Sequence, residues 1–325
     1  MSERVSVIIC TRNYAHFLGQ CLESVAKQTC PPDEVIVVDD GSTDNTPAIV
    51  SEFKGVRYLR QEHAGKAAAF NHGFAASTGD IVCHLDADDY WLPEKLSSVL
   101  QAFSTIPAGG LTHDAYYVDG KGNALYGTAP MPNGVKAPRY LPFRNVLLMC
   151  LIPRPINVTR GSLGVVNTLC VRRKTVADIF PLPTELGLAV DGAMLLGAAR
   201  NGILYLPQIH SAYRHHGSNH FVSDPSALQY QRRLFRWVLG LNEVSETYDK
   251  KLLETLVLQE DVQAAMSVNQ QPLKTAYGAG TLVPRLVHLG LVPHWKQFAL
   301  PLAALLGWRK VRPILLRLPK RLRRG

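Results

Sequence analysis

No stretch of this chain holds about 18 uninterrupted apolar residues, the least that a membrane-spanning helix needs, so no such span is expected. The N-terminal residues run directly into the strand-like Val5–Cys10, with no basic region and apolar stretch before it, and a secretory signal is not expected either. The six cysteines (Cys10, Cys21, Cys30, Cys83, Cys150 and Cys170) show no Cys-x-x-Cys pair and no Cys/His zinc spacing. Most of them lie inside apolar runs, as buried thiols do, which favours a reducing, cytoplasmic setting. No Gly-x-Gly-x-x-Gly follows a strand-like run and no Gly-x-x-x-x-Gly-Lys-Ser/Thr occurs, so dinucleotide binding and P-loop ATP hydrolysis are disfavoured. Acid is missing from one end: residues 262–325 contain no Asp or Glu and eleven Lys or Arg. Of the net charge of +9, that segment carries +11 and residues 1–261 about −2. The basic character belongs to a tail and not to the globular body, and nucleic acid is not expected as a partner.

With 46% hydrophobic and 19% charged residues, the chain can bury a sizeable core. Its first hundred residues alternate short apolar runs with helix-like stretches. Strands are expected at Val5–Cys10, Val35–Val38, Val56–Leu59 and Ile81–Leu85, and helices at His16–Gln28, Asp44–Phe53, Gly65–Ser77 and Pro93–Phe103. Strands this short and apolar, separated by helices, make a parallel sheet buried on both faces, which is an α/β domain wound from βα units. Residues 120–160 are rich in Pro and Gly and read as a long loop, of the kind that often shapes a site. A strand at Gly164–Val171, helices at Arg172–Ile179 and Asp191–Arg200, and a short strand at Ile203–Leu206 are expected after it. From about Pro225 the pattern is helical only. We divide the chain into a domain at 1–222 and a helical basic region at 223–325.

Ligands of such sheets bind beyond the carboxyl ends of the strands, where the strand order reverses. The polar residues there are Thr11-Arg12-Asn13 after the first strand, Asp39-Asp40-Gly41-Ser42 after the second and Asp86-Ala87-Asp88-Asp89 after the fourth. By itself, Asp40-Gly41-Ser42-Thr43 also suits a turn that caps the next helix. The second group is harder to explain without a ligand. Three carboxylates within four residues repel one another, and a hard divalent cation shared with phosphates, Mg2+ or Mn2+, removes that cost.

Val5–Asn13 (VSVIICTRN), Val37–Asp44 (VVDDGSTD) and Leu85–Asp89 (LDADD) resemble the corresponding segments of family 2 glycosyltransferases of the GT-A fold. The similarity spans roughly residues 3–219. The resemblance implies an inverting transfer of a sugar from a nucleotide-diphosphate-sugar, of UDP type by the family's habit, to an acceptor hydroxyl. It implies further that Asp40 meets the donor base, with Thr11, Arg12 and Asn13 beside base and ribose, and that Lys66 faces the nucleotide. Asp86-Ala87-Asp88 matches the Asp-x-Asp motif, with Asp86 on the donor side and Asp88 on the metal between the donor phosphates. The family's base comes from an acidic pair that opens a helix; here the pair reads Val190-Asp191, so the first acid is missing and Asp191 is the candidate base. A helix N-cap is its other reading. Tyr213–Ser218 (YRHHGS) resembles the segment that closes the donor site, where His216, with His215 as its competitor, would meet the metal.

The last hundred residues lie outside this resemblance. Trp295, Phe298, Leu302, Trp308 and Leu315 alternate with basic residues and are broken by Pro293, Pro301, Pro313 and Pro319 into short helices. Short amphipathic helices with Trp and Arg suit an anionic membrane surface, which would bring the protein to the inner face of the membrane and fit a lipid-linked or glycan acceptor. An ordinary helical appendage is the alternative. A processive polysaccharide synthase would need spans and a Gln-x-x-Arg-Trp motif, whereas Arg233 stands in the Gln position of Arg233–Trp237. A non-catalytic nucleotide-sugar-binding protein of the same fold remains the rival, because no acid precedes Asp191.

Overall fold

The β-branched run Val5–Thr11 forms strand β1, and its alternate residues serve two faces. The computed structural model describes residues 3–127, 137–143, 146, 168–216 and positions 233, 234, 237, 238 and 240. Val5, Val7 and Ile9 pack with helices α1 (Ala15–Ala26), α2 (Thr46–Ser51) and α4 (Lys95–Thr105). Ile8 meets α3 (Lys66–Ala76) on the other face, so closely that a Cβ on Gly73 would lie 2.6 Å from Ile8 Cγ2. The remaining long helix, α5 (Val190–Ala199), lies beside α3.

The other strands are β2 (Glu34–Asp40), β3 (Val56–Gln61), β4 (Ile81–Asp86), β5 (Tyr90–Trp91), β6 (Gly110–Asp119), β7 (Ala124–Gly127), β8 (Arg139–Leu141), β9 (Cys170–Arg172) and β10 (Ile203–His215). They make one sheet in the order β3-β2-β1-β4-β9-β6-β10-β5, with β7 on β6 and β8 on β10. The expectation of a parallel α/β sheet holds for β3-β2-β1-β4 and for β6-β10. Between these two blocks β9 runs antiparallel to both β4 and β6, so the sheet is mixed, with most of its residue pairs parallel.

Several elements differ from the sequence reading, and in the described part of the strand expected at Gly164–Val171 only Cys170 and Val171 are strand, in β9. The helix expected at Arg172–Ile179 is two 3₁₀ turns, Arg173–Thr175 and Ala177–Ile179. The side chains of this stretch bond neighbouring backbone, Arg172 to Phe103 O, Arg173 to Gly79 O and Thr175 to Gly109 O. The short strand expected at Ile203–Leu206 continues to His215, passing Pro207 by register shifts against β6 that absorb the missing donor. Strand β6 was not foreseen, because Thr112, His113 and Asp114 interrupt its apolar pattern, yet all three are buried. Within the Pro- and Gly-rich 120–160 stretch, 124–127 and 139–141 are strands.

Cys21, Cys83 and Cys170 are buried and Cys10 and Cys30 half-buried, all as free thiols, and Cys150 lies outside the described residues. No helix among the described residues is long and apolar enough to cross a membrane. The chain divides into two compact units, Met1–Leu234 and Phe235–Gly325. The basic tail read from residue 223 onward lies outside the described residues, apart from the five positions named above.

Candidate functional site

The strand order turns back on itself at β1, which has β2 on one side and β4 on the other. The loops after these three strands therefore open into one crevice. Two backbone devices shape it. Asn13 adopts φ 59, and its Oδ1 accepts from Thr43 N at 2.8 Å while its own N donates to Ser42 Oγ at 3.0 Å, tying the loop after β1 to the loop after β2. Gly41, at φ 77, lets His63 N approach to 2.9 Å of where a Cβ would stand.

That approach delivers the 61–65 loop to Asp40. Its Oδ1 accepts from Ala64 N (2.8 Å) and Gln61 Nε2 (2.8 Å), and its Oδ2 pairs with His63 Nδ1 (2.8 Å) and accepts from Gly65 N (2.9 Å). Burial raises the Asp40 pKa, but these four bonds, led by Ala64 N, outweigh it and hold the carboxyl below its ordinary value. Each oxygen has two acceptor positions, and both are filled. Thr11, also buried, keeps its Oγ1 without a hydrogen-bond partner among the described residues. Arg12 is exposed on the same loop. Of the turn-and-cap reading of Asp40–Thr43 the turn holds, with Ser42 N donating to Asp39 Oδ1 at 2.7 Å. The cap part passes to Asp44, whose Oδ1 accepts from Thr46 N at 3.1 Å and whose Oδ2 accepts from Ala15 N, the first residue of α1, at 2.9 Å.

Gly65 opens α3, and Lys66 at its first position reaches over the end of β4. Lys66 Nζ is 2.8 Å from Asp86 Oδ1 and 3.7 Å from Asp191 Oδ2. Burial lowers the Lys66 pKa, while Asp191 and then Asp86 raise it further, for a net upward shift. For Asp86 the balance runs the other way: burial raises it, and Lys66 and His84 bring it below the ordinary value. Asp191 is the second residue of α5; the helix cap is Ala189, which makes no side-chain capping bond, so the N-cap reading of Asp191 does not hold. His84, on β4 two residues before Asp86, completes the group, with Nδ1 3.2 Å from Asp191 Oδ1 and Nε2 3.7 Å from Asp86 Oδ1. His84 is not among the residues expected at the site from the sequence. The signal was available, since residues two apart on a strand share a face.

Across Asp86 lies the rest of the acidic turn. Ligand atoms of Asp86, Asp88 and Asp89 lie within 4.8 Å of one another. Asp89 is buried, with Oδ1 accepting from Arg214 N at 2.8 Å and Oδ2 without a hydrogen-bond partner among the described residues. Burial first, then the Asp88 and Asp86 carboxylates, push its pKa well up. The same field reaches the tyrosines nearby: burial and then Asp88 raise Tyr14, and burial and then Asp89 raise Tyr213. Three converging oxygen donors, one of them buried with an unfilled oxygen, fit a hard divalent cation such as Mg2+ or Mn2+.

Strand β10 holds this turn in shape. Arg214, buried at the end of β10, donates from Nε to Asp88 O (2.8 Å), from Nη1 to Gly120 O (3.2 Å) and from Nη2 to Gln20 Oε1 (2.6 Å). It is a second residue that the sequence reading passed over, although it sits in the segment singled out for its histidines. His216 Nε2 lies 2.9 Å from Asp88 Oδ2, with its ring against Phe17 (4.8 Å) and Tyr14 (5.7 Å). His215, its competitor, turns to Tyr117 and Tyr213 instead. The structure thus gathers Lys66, Asp86, Asp88, Asp191 and His216 around one turn, and sets Thr11, Asn13 and Asp40 at the neighbouring strand ends.

Comparison with known proteins bears on this arrangement. The family model described as Glycosyl transferase family 2 matches residues 6–158. An uncharacterized glycosyltransferase of Nostoc sp. is 32% identical over 240 residues, which cover 70% of this chain and 70% of the relative. Among solved structures, S. aureus TarS 1–349 in complex with UDP-GlcNAc superposes with a TM-score of 0.63 at 20% identity, over 88% of this chain and 80% of that one. The mannosyltransferase PcManGT from Pyrobaculum calidifontis, in complex with GDP-Man and Mn2+, gives 0.55 at 18% identity, over 90% and 81%.

Proposed function

The chain belongs to glycosyl transferase family 2 and has its GT-A fold, and from that premise we propose that it is a metal-dependent, inverting enzyme that moves a sugar from a UDP-sugar to an acceptor hydroxyl. The observation that carries this reading is the convergence of Asp86, Asp88 and Asp89 at the β4 end, beside a helix-borne carboxylate, Asp191. The UDP-sugar is favoured by the complex of TarS, and the metal by the Mn2+ of PcManGT.

In this reading Thr11, Arg12, Asn13 and Asp40 line the side of the crevice that takes base and ribose. Because both oxygens of Asp40 are filled, the side chain of Gln61 or His63 yields its bond when the base arrives. Lys66 and Asp86 face the diphosphate and sugar. Asp88 and Asp89 would hold Mg2+ or Mn2+, and His216, now in contact with Asp88, would join them. A bound metal supplies charge stabilisation to the departing diphosphate. Asp191 accepts the proton of the acceptor hydroxyl as its oxygen bonds the anomeric carbon. The bond from that carbon to the diphosphate oxygen breaks, and the configuration inverts. The acceptor is a glycan or lipid-linked glycan of the cell surface, and the basic tail keeps the enzyme at the inner face of the membrane, a cytoplasmic and peripheral placement.

A non-catalytic nucleotide-sugar binder is the second reading, favoured by Val190 in the place of the first acid of the family's pair. Turnover separates the two. A panel of nucleotide sugars with Mn2+, scored by protection against thermal unfolding and by release of nucleoside diphosphate, should yield both signals with a UDP-sugar. Asp191→Asn should keep the protection and lose turnover by about 10² or more, the usual scale for a general base. Protection without release in the wild type would favour the binder.

A further inference from the structure

We propose that His84 is a positioning residue that holds the Asp191 carboxylate in its working orientation. The proposal rests on the reading of Asp191 as the base. His84 stands on β4 and is buried at 5% exposure, with Phe70 of α3 packed on its ring at 4.6 Å. Val82, Leu169, Val171 and Met194 line the pocket it shares with Asp191. An imidazole in such surroundings loses its hydration and needs a polar use for its nitrogens, whereas a phenylalanine would fill the same space without that cost. The only acids within ion-pair distance of it among the described residues are Asp191, 3.2 Å from Nδ1, and Asp86, 3.7 Å from Nε2.

The Asp191 side has a matching need. Asp191 caps no helix, and Val190 beside it is buried and apolar, so neither its own helix nor its neighbour fixes the carboxylate. Two side chains from other elements flank it, one on each oxygen: His84 toward Oδ1 and Lys66 toward Oδ2. Lys66 lies closer to Asp86, at 2.8 Å, than to Asp191, at 3.7 Å. His84 is therefore the nearer support. Neither His84 Nε2 nor Asp191 Oδ1 has a well-formed hydrogen bond among the described residues, and contacts of this kind commonly tighten when substrate is bound. A reacting carboxylate has to be held to within about 0.5 Å, and a buried ring locked against Phe70 can do so.

The test uses the full chain and the release of UDP from UDP-GlcNAc in Mn2+, for wild type, His84→Phe, His84→Asn, His84→Gln, Asp191→Asn and the double variant Asp191→Asn/His84→Phe. His84→Phe should lower kcat by about 10- to 100-fold with KM within about twofold, the pattern of a lost transition-state interaction. An asparagine amide can stand where Nδ1 stood and a glutamine amide cannot, so His84→Asn should keep most of kcat and His84→Gln should not. If His84 acts through Asp191, the double variant is no slower than Asp191→Asn alone. Wild-type kcat in His84→Phe, no rescue by His84→Asn, or losses that multiply in the double variant overturn the proposal. Wild-type kcat in Asp191→Asn instead overturns the reading of the base. A crystal structure of His84→Phe then judges the positioning separately: a carboxylate turned from its wild-type place supports it, and one unmoved within about 0.5 Å sinks it.

Discussion

Asp86, Asp88 and Asp89 share one turn, but their surroundings give them different work. Asp86 pairs with Lys66, Asp88 Oδ2 faces His216 Nε2, and Asp89 accepts from the Arg214 backbone amide while its other oxygen has no hydrogen-bond partner among the described residues. A divalent ion with a diphosphate would supply the missing partner. UDP should therefore bind more weakly in EDTA than in Mn2+, and Asp88→Asn should abolish the difference; titration calorimetry showing equal affinities in the wild type removes the metal from the account. Arg214 makes a different prediction. Its guanidinium satisfies three acceptors on separate segments, Asp88 O, Gly120 O and Gln20 Oε1. Replacing it by Met removes all three of these partly buried bonds, at a cost of about 1–3 kcal/mol. Denaturant unfolding should register that loss, and the Mn2+ dependence of UDP binding should go with it because the acidic turn loses its support.

Two elements decide where these residues stand. Helix α3 lies on β1 at a glycine contact, Gly73 against Ile8, which brings its first residue, Lys66, down to the β4 end. Strand β10 passes a proline and two register shifts to carry Arg214 and His215 to its far end. Its partner β6 buries polar groups in the sheet, and the burial of His113 has a pH consequence. Burial, then Lys95, push the His113 pKa well below the ordinary value. The unfolded chain takes up a proton near the ordinary histidine value of about 6.5 while the folded chain resists it, so this contribution is present above that pH and is lost as the pH falls below it. Thermal midpoints should drop between pH 7.5 and 5.5, and His113→Gln should drop less over the same interval. An equal drop in both would remove His113 as a source of the acid sensitivity.

At the scale of the whole molecule, charge is divided between an acidic body and a basic tail. Eight Lys or Arg follow Trp308 with no acid among them. Each basic residue near an anionic surface contributes about 1 kcal/mol, and inserted Leu and Trp add to it. Removing residues 282–325 should release the protein from anionic vesicles and leave UDP binding unchanged. Salt should weaken the full-chain interaction without abolishing it, because the apolar part is not screened. Nucleic acid as the true partner would give a steep salt dependence and no preference for lipid. Indifference of the full chain to anionic vesicles would leave the tail as a structural appendage.

The sequence by itself determined the β1–β4 half of the sheet, because its strands are short, apolar and separated by helices, a pattern that local periodicity carries directly. It also determined the residue types of the site, since Thr11, Asp40 and Asp86–Asp89 follow strands and a parallel sheet opens its crevice there. The other half was hidden where local rules fail. Strand β6 buries polar residues, Asp114 meeting Tyr205 of β10 and Thr112 meeting Thr168, β10 continues past a proline that usually ends a strand, and Arg172 and Arg173 bond distant carbonyls in place of a helix. Only the tertiary structure decided that Asp40 is held by four donors of its own chain, that Arg214 braces the acidic turn, and that His84 meets Asp191. Those are contacts between residues as far as 126 positions apart, and no local pattern in a chain specifies them until packing has fixed which strand lies beside which.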